Sequence, residues 1–114
     1  MSGGGNGGGS AGGNPSVTGT WQVVLVITVP GDIQTWTTTW RFDAAGSCQL
    51  TKTSFSLLEG FPRTTERDCR FVLSGGSVVV TYSDTGTTQS LPYSFAGFSP
   101  DRLVLEGLEY RRIG

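Results

Sequence analysis

The stretch Thr35-Trp36-Thr37-Thr38-Thr39-Trp40-Arg41-Phe42-Asp43 alternates with a period of two. Trp36, Thr38, Trp40 and Phe42 fall on one face, and Thr35, Thr37, Thr39 and Arg41 on the other. Aromatic and β-branched side chains suit a pleated surface that is wet on one side, so this is a strand with one face in a core. The same texture runs outward in both directions. Upstream, Thr20 to Val29 forms a strand that stops at the turn triplet Pro30-Gly31-Asp32. Downstream, Asp43-Ala44-Ala45-Gly46 turns the chain into Ser47 to Ser56, and a longer loop, Leu57 to Arg63, precedes Thr64 to Leu73. Ser74-Gly75-Gly76 and Asp84-Thr85-Gly86 bracket a fifth strand, Ser77 to Ser83. The sixth runs from Thr87 to Phe98, with a bulge or distorted pairing expected at Pro92. Pro100-Asp101 leads to Arg102 to Glu106, and Gly107 turns into the eighth strand, Leu108 to Ile113.

No segment carries a helical stripe, and eight strands follow one another through short turns. Strands with one apolar face must close or stack to hide it, and closure also removes exposed edges. Greek-key sandwiches need longer crossovers than these turns allow. The expected fold is therefore all-β, an eight-stranded antiparallel up-and-down barrel. Its interior would be lined by Trp36, Trp40, Phe42, Leu50, Phe71, Val78, Val80, Tyr82, Leu91, Tyr93, Phe95, Leu103, Leu105 and Tyr110.

The chain has 114 residues, 36% of them apolar and 15% charged, and eight of its 18 glycines lie in the first thirteen positions. Residues 1–16 cannot bury enough surface to offset their ordering entropy and read as a flexible Gly-rich tether; residues 17–114 form one domain. Asn6, Ala11, Asn14 and Pro15 break the regularity of a designed linker, the alternative origin for the tether. A net charge of −1 gives no electrostatic footprint for nucleic acid, and the longest apolar run, Val23 to Ile27, is far short of the ~20 residues of a spanning helix. Histidine is absent, which removes imidazole-based catalysis and the commonest metal ligand. With only two cysteines, no structural zinc site can be assembled, so neither a metal nor a cofactor is expected.

Those two cysteines test the register. A hairpin of the third and fourth strands centred on the Leu58-Glu59 bond pairs residues whose numbers sum to 117, and Cys48 and Cys69 do. They are placed opposite each other, where a disulfide can form; the alternative is two buried thiols. A disulfide implies an oxidising compartment. The tether resembles the mature end of a bacterial lipoprotein, in which a lipidated cysteine is followed by Ser, Gly and Asn, with Met1 standing where that cysteine would be. This implies an exported, lipid-anchored protein of the periplasm or cell surface that meets the membrane only through the anchor, and whose native gene encodes a signal peptide with a lipobox.

Gly19-Thr20-Trp21 at the start of the first strand and Arg111-Arg112 at the end of the last resemble the lipocalin pattern. In that family a GxW tryptophan at the closed end of the barrel packs against an arginine from the far end of the chain. The resemblance implies that Trp21 and Arg112 pack together at the barrel base. The chain lacks the C-terminal helix of full-length lipocalins and looks more like the compact lipocalin-like domains of bacterial envelope proteins. Lipocalin-like barrels bind small hydrophobic ligands, which implies such a ligand here.

With Trp21 at the base, the opposite mouth carries Pro30 to Gln34, Leu57 to Arg63, Asp84 to Gly86 and Gly107. Trp36 and Tyr82 lie nearest that mouth, with Phe55 and Phe61 above, and these four are the expected ligand-binding residues. The apolar segment Leu57 to Pro62 is either a portal over a ligand, a contact patch for a protein partner, or a loop folded back into its own barrel. An enzyme has little support: Glu66 and Asp68 face away from Cys69 on a solvated charged strand with Arg67 and Arg70 nearby, and Glu106 and Glu109 flank Gly107 with nothing beside them to complete a catalytic site. Small periplasmic inhibitors of secreted bacterial metalloproteases also resemble the chain, with eight strands, one disulfide and an early GxW. Their inhibitory N-terminal segment carries real side chains, whereas the corresponding segment here is mostly glycine. A structural surface domain with a solid core is the third alternative. The expectation is a monomeric, non-enzymatic binding domain.

Overall fold

The computed structural model describes residues 16–96 and 100–114, and within them the chain forms a closed eight-stranded antiparallel barrel. In chain order the strands are β1 (Gly19–Val29), β2 (Asp32–Phe42), β3 (Ser47–Ser56), β4 (Pro62–Ser74), β5 (Ser77–Tyr82), β6 (Thr88–Phe95), β7 (Arg102–Leu105) and β8 (Leu108–Arg112). Each pairs with its neighbours in sequence, and β1 pairs with β8 to close the ring. The tether at residues 1–15 and the expected end of the sixth strand at Phe98 lie outside the described residues.

Two local expectations are corrected. β2 begins at Asp32 rather than Thr35, because Val29 pairs with Asp32 and leaves only Pro30-Gly31 in the turn; Gly31 supplies the positive φ of 83° that such a tight connection needs. Pro92 makes no bulge. Itself exposed, it continues the β5–β6 register opposite Ser77, the half-buried first residue of β5, and the ladder passes to the next amide, Tyr93 N donating to Gly76 O at 3.0 Å.

The inward positions of the lower barrel are filled by side chains. Trp21, Trp40, Phe42, Leu50, Val78, Val80, Tyr82, Leu91, Leu103, Leu105 and Tyr110 are buried, with Phe71, Tyr93 and Phe95 packed against them. Trp40 stacks on Phe42 at 5.4 Å between centroids, and Phe42 meets Phe71 edge-on at 4.9 Å. Of the expected lining only Trp36 is exposed. Cys48 and Cys69 face each other across β3 and β4 with Cα atoms 4.8 Å apart and form a disulfide near the base.

At the base Arg112 lies over the Trp21 ring, 4.3 Å from its centroid, while Nη1 donates to Thr18 O at 2.8 Å and Nη2 to Ser16 O at 3.1 Å. Trp21 Nε1 donates to Val17 O at 2.8 Å, which satisfies its one polar atom in a fully buried ring. Gly19 precedes this contact with φ 138°, and a Cβ there would collide with the Arg112 guanidinium. The glycine is required by the close approach of the arginine.

The two halves of the barrel differ in height. β1 to β4 have 11, 11, 10 and 13 residues, and β5 to β8 have 6, 8, 4 and 5, so the first four strands stand above the rest as a tall wall on one side of the mouth. β1 meets β8 only at its lower end, through Trp21 opposite Arg112 and Gln22 opposite Arg111.

Candidate functional site

The inner face of the tall wall continues the buried face of the barrel upward. Strand alternation puts Trp36 on the same side as Trp40, and the β1–β2 register sets it opposite Leu25. Above the rim no facing strand among the described residues covers these positions, so Trp36 is 45% exposed and Leu25 and Ile27 are about as open. An inward-facing tryptophan left open to solvent above a filled aromatic floor is the most conspicuous feature of the mouth.

Trp36 borders a cleft of about 330 Å³ shared with Asp32, Gln34, Ser54, Phe55, Ser56, Leu58, Glu59 and Arg63. The cleft is organised by the Asp32 carboxylate. Oδ2 accepts from Ser56 Oγ at 2.7 Å and from Gln34 Nε2 at 3.3 Å, and Oδ1 accepts from the main-chain N–H groups of Leu58 and Ile33, both at 2.9 Å. The hydrogen bonds from Ser56 and Leu58 hold this carboxyl below its ordinary range. One side chain thus ties the β1–β2 turn to the β3–β4 loop. Gln34 extends the network to the ring, since its Oε1 accepts from Trp36 Nε1 at 3.4 Å. Across the cleft Arg63 and Glu59 form an exposed pair at 3.1 Å. The cleft therefore sets the Trp36 ring, Phe55 and Leu58 among oriented polar groups on both sides, a combination suited to an amphiphilic ligand.

The four expected ligand residues do not converge. Trp36 and Phe55 border the cleft, although alternation directs Phe55 to the outer face, opposite Thr35, while Ser54 is the inward neighbour of Trp36. Phe61 stands on the exposed loop with the Arg63 guanidinium 5.6 Å from its ring and is not part of the cleft. Tyr82 belongs to the floor. It is buried, its hydroxyl donates to Gln89 Oε1 at 2.7 Å, and burial raises its pKa above the usual tyrosine value.

What covers Tyr82 is Arg67, a residue placed by the sequence reading on the solvated strand. Alternation gives it the same face as Cys69, and its guanidinium lies 3.8 Å from the Tyr82 ring centroid. Arg67 Nε and Nη2 donate to the two Asp84 carboxylate oxygens at 2.9 and 2.8 Å, a bidentate pair that raises the pKa of Arg67 and lowers that of Asp84. The pair forms a polar cap on the short side of the mouth. Counting residues back from Cys69 would have revealed Arg67 in the sequence; its partner Asp84, in a turn, carries no such signal.

Glu66 and Asp68 are exposed on the outer face of β4, as the sequence reading placed them, and Gln49 Nε2 donates to Asp68 Oδ1 at 3.2 Å. Glu109 is paired with Arg102 at 3.6 Å on the outer surface opposite Val104, and Glu106 sits in the β7–β8 turn with φ 52°. Among the described residues no group of three or more Cys, Asp or Glu is gathered in metal-binding geometry. No protein-family model matches the chain, and no curated protein or solved structure matches it at a significant level.

Proposed function

We propose that the domain is a non-enzymatic binding module that takes the apolar part of a small hydrophobic ligand at the mouth of the barrel, against Trp36. The observation that carries this reading is the open, inward-facing Trp36 in a cleft of about 330 Å³, at the lower end of the ~300–1,000 Å³ usual for small-molecule sites. Because the positions beneath are filled, the ligand sits on the floor of the mouth and does not enter the barrel. Leu25, Ile27 and Leu58 supply further apolar surface, and Asp32, Gln34 and Ser56 orient a polar end group. The disulfide supports an oxidising compartment. With the lipoprotein-like opening sequence it supports an exported protein held at the periplasmic or outer surface by an N-terminal lipid.

The test is titration of the purified protein with fatty acids, retinoids, haem and sterols. Tryptophan fluorescence and equilibrium dialysis are followed together, so that loss of the reporter is separated from loss of the site. Saturable quenching and retention are expected for at least one ligand class, with retention lost in Trp36→Ala and quenching lost in Trp36→Phe. A flat response from the unaltered protein refutes the reading. A protein partner at Leu57 to Pro62 is the second reading, favoured by the exposure of Leu57, Leu58 and Phe61, of which Leu58 reaches 77%. It predicts no response to the ligand panel and a partner contact abolished by Leu58→Ser with Phe61→Ser.

A further inference from the structure

Above Gln22 the edge of β1 that faces β8 has no partner strand among the described residues. The two strands part there around a cleft of about 560 Å³ bordered by Val23, Val24, Glu109 and Arg111. The open segment is Val23-Val24-Leu25-Val26-Ile27-Thr28-Val29, without charge, proline, glycine or bulge. Val24, Leu25, Val26, Ile27 and Val29 are exposed, Val26 to 65%. Since Gln22 spends its main-chain groups on β8, alternation points the N–H and C=O groups of Val24, Val26 and Thr28 out of the same edge. A long, apolar strand edge of this kind is what proteins ordinarily blunt, and among the described residues no charge, proline or bulge interrupts it.

We infer that this edge is a docking site for a second copy of the same chain, joined by antiparallel pairing of β1 with β1 about a two-fold axis at Val26. The ends of the edge select this register. It sets Gln22 of one copy against Pro30 of the other: Gln22 is already engaged by Arg111, and Pro30 has no N–H to give. The usable edge, Val23 to Val29, is thus bounded symmetrically about Val26. Val26 meets Val26, Val24 meets Thr28, Leu25 meets Ile27 and Val23 meets Val29, so every pair is apolar or uncharged and β-branched residues dominate. The pairing makes about six main-chain hydrogen bonds and joins the two tall walls into one continuous sheet. The partner's Pro30-Gly31 turn then lies at the cleft between β1 and β8. The glycine-rich opening sequence is a poor occupant of the same edge, having almost no side chains to pack on it. The inference is independent of the ligand reading, because Trp36 lies on the inner face and the unpaired groups lie along the edge.

The test is sedimentation equilibrium of the full chain over a concentration series. A concentration-dependent dimer of twice the 12.0 kDa monomer mass is expected. Val26→Lys sets two ammonium groups against each other on the axis and returns the mass to that of the monomer. Val24→Lys and Thr28→Glu each weaken the dimer alone, and together restore it, because the two positions face each other across the axis. Circular dichroism and the tryptophan emission confirm the fold of each variant, all three positions being exposed. A wild-type protein that stays monomeric up to millimolar concentration overturns the inference. So does a dimer untouched by Val26→Lys, or one that the Val24→Lys/Thr28→Glu pair fails to restore.

Discussion

Replacing Arg112 by Ala removes three things from the base of the barrel at once. The first is the guanidinium 4.3 Å over the buried Trp21 ring, a partly desolvated contact of about 1–2 kcal/mol. The second is the pair of charge-assisted hydrogen bonds to Thr18 O and Ser16 O. These carbonyls lie near the surface, where water can replace the donor, so the two bonds together contribute about 1–2 kcal/mol. The third, the 3.5 Å pair with the exposed Asp101 together with the 3.5 Å donation from Nη2 to Pro100 O, adds little. The expected loss is about 2–4 kcal/mol, a large part of the ~5–15 kcal/mol that holds a domain of this size. In urea, with an m-value of roughly 1–2 kcal/mol/M, the midpoint falls by about 1–4 M. Arg112→Lys keeps the charge but not the planar fork that reaches two carbonyls, and falls between. A double-mutant cycle with Trp21→Phe isolates the ring contact, for which coupling of about 1 kcal/mol is expected. An Arg112→Ala protein within about 0.5 kcal/mol of wild type, or Lys equal to Arg, refutes the account of how the barrel is closed.

Three further outcomes are expected. Replacing both cysteines by Ala opens a loop of 21-residue spacing and lowers stability by about 3 kcal/mol on the chain-entropy account, read as the difference between urea curves of the two proteins. Tyr82 and Tyr110 have pKa values raised first by burial, so both titrate above about 10 when tyrosinate absorbance is followed. Their raised folded-state values mean that the neutral ring's contribution to stability is complete below about pH 10 and is lost as pH rises through the native pKa. The Asp32 pKa is lowered, so its contribution has the opposite sign: present above about pH 4 and lost as pH falls through the native value. The protection factor of the Leu58 amide, its exchange rate relative to the intrinsic rate at the same pH, should fall on acidification in the wild type, and should already be low and independent of pH over this range in Asp32→Asn.

Much of this molecule is legible in residue order because its contacts are local hairpins. The alternation of Trp36, Thr38, Trp40 and Phe42 fixes which face is inward, and adjacent strands inherit it through short turns. The same arithmetic put Cys48 against Cys69, and that pair is bonded. The contact between Trp21 and Arg112 was legible only through a resemblance, since strands at opposite ends of the chain share no turn to set their register. The same parity accounts for two residues off the expected faces: Phe55 is one residue out of phase with Trp36 and faces outward, and Arg67 is in phase with Cys69 and faces inward.

Residue order carries the strand count, the direction of each face and the facing of Cys48 and Cys69, because all three follow from a period of two and from turn chemistry within neighbouring segments; that the pair is bonded is read from the fold. It is the closed ring that leaves Trp36 open, sets Tyr82 beneath Arg67 and, among the described residues, leaves the β1 edge unpaired above Gln22. Those outcomes depend on how tall strands stand against short ones when the ring closes. Closure matches the first strand to the last across the whole chain, and no local pattern encodes how far that match extends.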